Sequence, residues 1–195
     1  MSGDPPEYAA LSDGALMVLF ANGDPGASAA LTARLLPRAL GHAARVLGDR
    51  AEAEDIAQEA MLRLWRAAGD WRQDGVAQPA TWLYRVVANL CLDRLRRRGR
   101  AEPLEHPDTA PDGAPGALAR MLEADRMAAL DAALARLPER QRQAVVLRHI
   151  EGLSNPEIAE ILDVGVEAVE SLTARGKRAL AAALAGQKEA LGYGD

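Results

Sequence analysis

One cysteine in 195 residues excludes an internal disulfide, and Cys91 fits a chain kept in a reducing cytoplasm. Aromatic residues make up only 4%, so the 49% apolar content rests elsewhere, much of it on alanine. Valine and isoleucine form no alternating runs, which removes the pattern of half-buried strands. Alanine with leucine, arginine and glutamate favours helix, and an all-α protein is expected. No apolar run reaches the roughly 18 residues that span a bilayer, so direct membrane insertion is not expected. The start "MSGDPPEYAAL" lacks the basic stretch and apolar core of a signal peptide. His42, His106 and His149 lie far apart, and none stands at metal-ligand spacing with another histidine or with Cys91. There is no glycine-rich phosphate loop and no nucleophile elbow. Neither a metal nor a cofactor, neither a small-molecule substrate nor catalysis, is expected.

What is present falls into two helical blocks. "AEPLEHPDTAPDGAPG", from Ala101 to Gly116, has proline at Pro103, Pro107, Pro111 and Pro115. That spacing forbids a helix, and the segment has too little apolar surface to fold against. It reads as a flexible linker, and it predicts two blocks that move independently until a partner fixes them.

Before it, a short helix should end near Asn22 and Gly23, and a longer one should start at Asp24 or Ser28 and close at Gly48. Pro37 should bend or split that longer helix. A third helix carries Ile56, Ala57, Ala60, Met61, Leu64, Trp65 and Ala68 at helical spacing. A fourth, over "PATWLYRVVANLCLDRLRRRGR", should turn Trp82, Val86, Val87, Leu90 and Leu95 inward. After the linker, one helix stops at Pro138 and the next ends at Gly152. Ser154 and Glu157 have capping-box spacing, with Pro156 in the first turn. "DVG" makes the turn to the last helix, and Asp163 should be left-handed.

Three surfaces are not explained by a core. Asp55, Gln58, Glu59, Leu62 and Arg66 form one outward stripe of the third helix, polar with an apolar residue in the middle. It is either a solvated face with a stray leucine or a docking stripe for a partner helix. The fourth helix ends in Arg94, Arg96, Arg97, Arg98 and Arg100. These either complement the helix dipole or contact phosphates. Trp71, Trp82, Tyr84 and Asn89 lie nearby, and aromatics beside a basic surface suit unstacked, single-stranded bases. For Trp82 alone, ordinary core packing explains the residue equally well. In the last helix Val169, Leu172, Gly176 and Leu180 should make the buried seam, while Ser171, Ala174, Arg175 and Arg178 face outward. That face suits the major groove, where an arginine can fork onto a guanine edge.

Together the blocks resemble the extracytoplasmic-function (ECF) sigma factors of bacterial RNA polymerase. "AEAEDIAQEAMLRLW" with "TWLYRVVANLCLDRLRRR" resembles their region 2, and "LPERQRQAVVLRHIEGLSNPEIAEILDVGVEAVESLTARGKRAL" resembles their region 4. The resemblance implies a region 2 domain over 1–100, the linker over 101–117, a region 4 domain over 118–188 and a tail over 189–195. It implies that Asp55, Gln58, Glu59, Leu62 and Arg66 bind core RNA polymerase. It implies that Trp71, Trp82, Tyr84, Arg85, Asn89, Arg94, Arg96, Arg97 and Arg98 contact the −10 promoter element. It implies that Glu167, Ser171, Ala174, Arg175, Lys177 and Arg178 contact the −35 element. Promoter DNA, core polymerase and an anti-sigma factor are the implied partners, and a bacterial cytoplasm the implied setting. The sequence departs from the family's habit at Glu170, where a basic residue is usual, and at Gly176, where alanine is.

Two other readings fit the helix-turn-helix: a two-domain transcription regulator that does not itself initiate, and a helical adaptor using the motif as a protein-binding surface. Against the first, no alternation of strands and helices typical of a receiver domain lies upstream. Charge poses its own question. The last helix sets Glu167 and Glu170 against Arg175, Lys177 and Arg178, a balance of only +1, in a chain of net charge −5. Neutralising phosphate supplies most of the affinity of DNA binders.

Overall fold

The computed structural model describes residues 6–71, 78–98 and 127–190, and every regular element among them is a helix. They run α1 (Pro6–Ala9), α2 (Asp13–Ala21), α3 (Pro25–Leu47), α4 (Arg50–Ala67) with a 3-10 turn over Ala68–Asp70, and α5 (Pro79–Arg98). Then come α6, described over 127–135, α7 (Glu139–Val145), a π turn (Val146–Ile150), α8 (Asn155–Leu162) and α9 (Val166–Ala190).

Local chemistry sets most boundaries. Asp24 accepts hydrogen bonds from the backbone N–H groups of Gly26 and Ala27, with Pro25 following it, and so starts α3. Gly48 ends α3 at φ 68°, a conformation that costs glycine nothing. Asp49 then caps α4 by accepting from Glu52 N–H. Ser154 and Glu157 form the expected capping box of α8, and Asp163 closes α8 in the left-handed region at φ 52° and ψ 55°. Arg34 ties down the start of the chain: its guanidinium donates to the carbonyls of Tyr8, Ala9 and Leu11, with the Asp13 carboxylate 3.1 Å away.

The first core lies where α3 meets α2, α4 and α5. Leu31, Leu35, Ala39, Ala43 and Val46 on α3 pack with Ala53, Ile56, Ala57, Ala60 and Leu64 on α4. The alanines bring the two helix axes close, and leucine or isoleucine fills the gaps. Each buried aliphatic side chain contributes about 1.5–3 kcal/mol.

Two sequence expectations change here. Of the two effects expected of Pro37, the split does not occur; the helix is continuous from Pro25 to Leu47. Pro37 is exposed between buried Leu35 and buried Ala39, so the bond it lacks is on the wet side while both neighbours are held by the core. On α5 the most buried residues are Leu83, Tyr84, Val87, Ala88 and Cys91, whereas Trp82, Val86, Leu90 and Leu95 are only partly covered. The reason is that α5 is packed from two sides. One side meets α3 and α4, and the other meets α8.

That second contact joins the two blocks. Tyr84 and Ala88 of α5 share a buried cluster with Leu147, Ile158, Ile161 and Val169. Arg142 of α7 reaches Val46 O at the end of α3, and Gln143 Nε2 donates to Ala88 O at 3.4 Å. In the structure described, the two blocks therefore lie in contact through α5 and α8 and through Arg142. The linker expected over 101–117 and residues 118–126 lie outside the described residues. Nothing described is a helix long and apolar enough to cross a membrane.

Candidate nucleic-acid and partner interfaces

The stripe on α4 is arranged as the sequence spacing requires. Ala53, Ile56, Ala57, Ala60 and Leu64 face the core, which turns Asp55, Gln58, Leu62 and Arg66 to the surface with Glu59 half-exposed. Leu62 is 49% exposed, so it is no part of the core. Glu59 accepts from Arg63 Nε at 2.9 Å, an exposed i,i+4 pair worth a few tenths of a kcal/mol. The stripe thus offers carboxylates, an amide and one free isobutyl group on a rigid helix.

The α5 set divides. Arg85 and Asn89 are exposed one turn apart on one face, and Arg96 and Arg97 are exposed near the C-terminus. Arg94 and Arg98 are engaged: Arg94 Nη1 lies 3.5 Å from Glu52, and Arg98 lies 2.6 Å from Glu52 and donates to Leu47 O at 3.0 Å. These two arginines pin the end of α5 to the junction of α3 and α4. Trp71 and Trp82 are partly buried and pack on the first core. Residues 72–77, which complete the expected loop from Trp71 to Pro79, lie outside the described residues. Tyr84 is 2% exposed. Its hydroxyl donates to the Glu151 carboxylate, and burial first, then that carboxylate, pushes its ionisation above the ordinary phenol range.

On α9, Val169 and Gly176 are buried and Leu172 and Leu180 are partly covered, which makes the expected seam. Glu167, Glu170, Ala174, Arg175, Lys177 and Arg178 are exposed, and Ser171 is half-exposed. Among the described residues no ion pair occupies Arg175 or Arg178. The face is open to solvent, with Ser171 and Arg175 one turn apart. Gly176 has a reason that sequence did not show. A Cβ there would lie 2.6 Å from Val145 Cγ2 and 3.2 Å from Gln141 O, so glycine lets α9 touch α7.

Comparison with known proteins decides the family. Residues 31–101 match the model for Sigma-70 region 2, and residues 127–180 match that for Sigma-70 region 4. SigW of Bacillus subtilis, an ECF RNA polymerase sigma factor, is 34% identical over 70% of this chain and 77% of its own length. The chain belongs to the ECF sigma factor family. The ECF sigma factor SigM of Mycobacterium tuberculosis is 42% identical over 67% of this chain, and the chain spans 63% of SigM. CnrH, solved in complex with the cytosolic domain of CnrY, shares the fold with a TM-score of 0.64. It is 29% identical, over 89% of this chain and 97% of that one.

Sequence reasoning missed two features of this ECF family member. One is an apolar groove of about 320 Å3 between α6, α7 and α9, lined by Leu134, Val145, Ile150 and Leu180 with His149 and Lys177. Ile150 is 37% exposed there, and an isoleucine beside the glycine stop was its only signal. Partial burial, then the charges of Lys177 and Arg148, lowers the His149 pKa from its ordinary value. The other feature is Arg142, 9% exposed, whose guanidinium donates to Ala135 O at 2.6 Å and Leu137 O at 3.2 Å as well as to Val46 O. Cys91 is free and buried, and burial first pushes its thiol up to about 12.

Proposed function

We propose that the chain acts as a promoter-specificity subunit of bacterial RNA polymerase, in the cytoplasm and without catalytic activity of its own. A region 2 domain over 1–100 docks on core polymerase and opens the −10 element. A region 4 domain over 118–188 reads the −35 element. The segment 101–117 links them and 189–195 is a tail. The observation that carries this reading is Leu62, a large apolar side chain left 49% exposed in a polar stripe of an otherwise well-packed helix. Its position at the centre of Asp55, Gln58, Glu59 and Arg66 supports a protein docking surface.

Arg85 and Asn89, with Trp71, Trp82, Arg96 and Arg97, form the −10 contact, where arginine holds phosphate and aromatic rings stack on unpaired bases. Arg94 and Arg98 position that helix while presenting charge to the same side, and Tyr84 joins the contact only after α8 leaves it. On α9, Arg175 forks onto a base edge and Ser171 donates or accepts beside it, with Ala174 allowing close approach. Lys177 and Arg178 meet phosphates, and Glu167 and Glu170 limit nonspecific affinity. CnrH was solved in complex with the cytosolic domain of CnrY. An anti-sigma factor is the corresponding partner proposed here.

Transcription by core polymerase with the purified chain, followed by mapping of the start sites, tests the proposal. Initiation from a defined set of promoters is the expected result. Core polymerase that starts no more selectively with the chain than without it refutes the proposal and leaves the two-domain regulator.

A further inference from the structure

The arginines at the end of α5 do not all carry their charge to the surface. Arg94, Arg96, Arg97 and Arg98 lie within five residues. Arg96 and Arg97 are exposed, whereas Arg94 and Arg98 turn toward the start of α4. Arg94 Nη1 lies 3.5 Å from Glu52 Oε1. Arg98 grips the same carboxylate with two nitrogens, Nη2 at 2.6 Å and Nε at 3.3 Å. Asp49 stands behind it: Oδ1 caps α4 by accepting from Glu52 N–H, and Oδ2 lies 3.6 Å from Arg98. Arg98 also donates to Leu47 O, at the negative end of α3. The side chains of Arg94, Arg98 and Glu52 are 33%, 28% and 25% exposed, so the group is partly shielded from water and salt. Two carboxylates thus offset two of the four guanidinium groups. Arg98 has three anchors, whereas Glu52 is the acidic group that holds Arg94.

We propose that Glu52, with Asp49 behind it, is a counter-charge that sets how many phosphates the α5 surface neutralises. Arg96 and Arg97 then meet nucleic acid, while Arg94 and Arg98 are held back. This rests on the function proposed above, in which α5 carries a nucleic-acid surface, and adds what limits its affinity. A phosphate contact strengthens binding to every sequence alike. Withholding two cations therefore weakens indiscriminate binding and leaves base contacts as they are.

The test uses the full chain and a fluorescein-labelled single-stranded oligothymidylate, with binding read by anisotropy across a salt series. On a single strand each neutralised phosphate adds a slope of about 0.7 in log affinity against log salt. Glu52→Gln should steepen the slope by about 0.7 where Arg94 alone is freed and by about 1.4 where Arg98 follows. At about 0.1 M salt that is binding about fivefold to about 25-fold tighter than wild type. Adding Arg94→Gln to Glu52→Gln should take back about 0.7 of the slope. Asp49→Asn keeps the capping oxygen and should shift the slope the same way by less; it replaces Glu52→Gln if circular dichroism shows that variant unfolded. Glu54→Gln removes the same formal charge from α4, in an exposed pair with Arg50, and should leave the slope as in wild type. A purely structural brace gives the opposite sign, because loosening the joint of α4 and α5 weakens binding. Equal or weaker binding by both Glu52→Gln and Asp49→Asn overturns the counter-charge. So does a slope change in Glu54→Gln that matches Glu52→Gln, or no reversal by Arg94→Gln. If the slopes move as expected while no version directs initiation by core polymerase, the counter-charge stands and the proposed polymerase role falls.

Discussion

Acid should loosen this protein through His42. The ring is fully buried on α3, and neither of its nitrogens has a hydrogen-bond partner among the described residues. Burial first, then the charge of Arg45, lowers its pKa from 6.5 to about 4. The folded state therefore keeps His42 neutral while the unfolded chain takes the proton near 6.5. A group with a depressed folded pKa and a basic nitrogen contributes fully above the unfolded value. That contribution fades as pH falls toward the folded value. Each pKa unit is worth about 1.4 kcal/mol, so going from about pH 7 to about pH 5 should cost about 2 kcal/mol. In urea this moves the unfolding midpoint down by about 1 M. His42→Leu keeps the volume roughly and removes both unpaired nitrogens. It should be neutral or up to about 1 kcal/mol stabilising at pH 7, and should lose most of the slope. Subtracting one titration from the other isolates His42, because Asp131 and Glu139, whose carboxyls burial holds above the ordinary range, titrate in both proteins. An identical loss over this pH range in wild type and His42→Leu would refute the reasoning and move the acid response elsewhere.

Other substitutions test the remaining surfaces. Leu62→Asp should abolish pull-down by core polymerase with helix content unchanged, since the side chain is already at the surface; loss of the circular dichroism signal would mean that the leucine is structural. Arg175→Ala, assayed as holoenzyme, should lose about 1–3 kcal/mol of discrimination at one −35 base pair, read as activity on single-base promoter variants. Glu170→Lys should instead raise affinity across sequences and steepen the salt dependence by about one unit of slope, and a preference change at a single base would show that Glu170 reads that base. Gly176→Ala should lower the melting temperature by an amount equal to about 1–2 kcal/mol. The clash of its Cβ with Val145 outweighs the gain of about 1 kcal/mol from helix propensity; a higher melting temperature would contradict this.

The helix caps were legible because they close over short distances. Asp24 reaches Ala27, Ser154 reaches Glu157, and Asp163 needs only its own backbone. The α4 stripe was legible because the period that buries Ile56, Ala60 and Leu64 leaves Leu62 outside whatever α4 packs against. Tyr84 and Arg142 were not. Tyr84 meets Glu151 67 residues away, and Arg142 meets Val46 96 residues away. No local spacing carries that information, and a tyrosine beside arginines reads the same whether it stacks on a base or lies in a seam. Pro37 misled for a related reason. Its local rule concerns one hydrogen bond, whereas the flanking leucine and alanine are held by α4 and α5 across the fold.

The low charge of the surfaces proposed to read DNA follows from how the arginines are used. Arg94 and Arg98 bind Glu52 and the end of α3, Arg38 and Arg45 face Tyr84 and Glu151, and Arg142 is buried among carbonyls. Folding this small-cored, alanine-rich chain uses guanidinium groups as cross-braces, each reaching several acceptors where an aromatic ring would otherwise fill space. That leaves Arg85, Arg96, Arg97, Arg175, Lys177 and Arg178 exposed on the two faces, with Glu167 and Glu170 beside the last three. Salt-dependent affinity grows with the number of phosphates neutralised, so so few cations support discrimination better than tight holding. That balance fits the proposed polymerase subunit, which would draw its grip on DNA from the enzyme, better than a regulator that must hold its site alone.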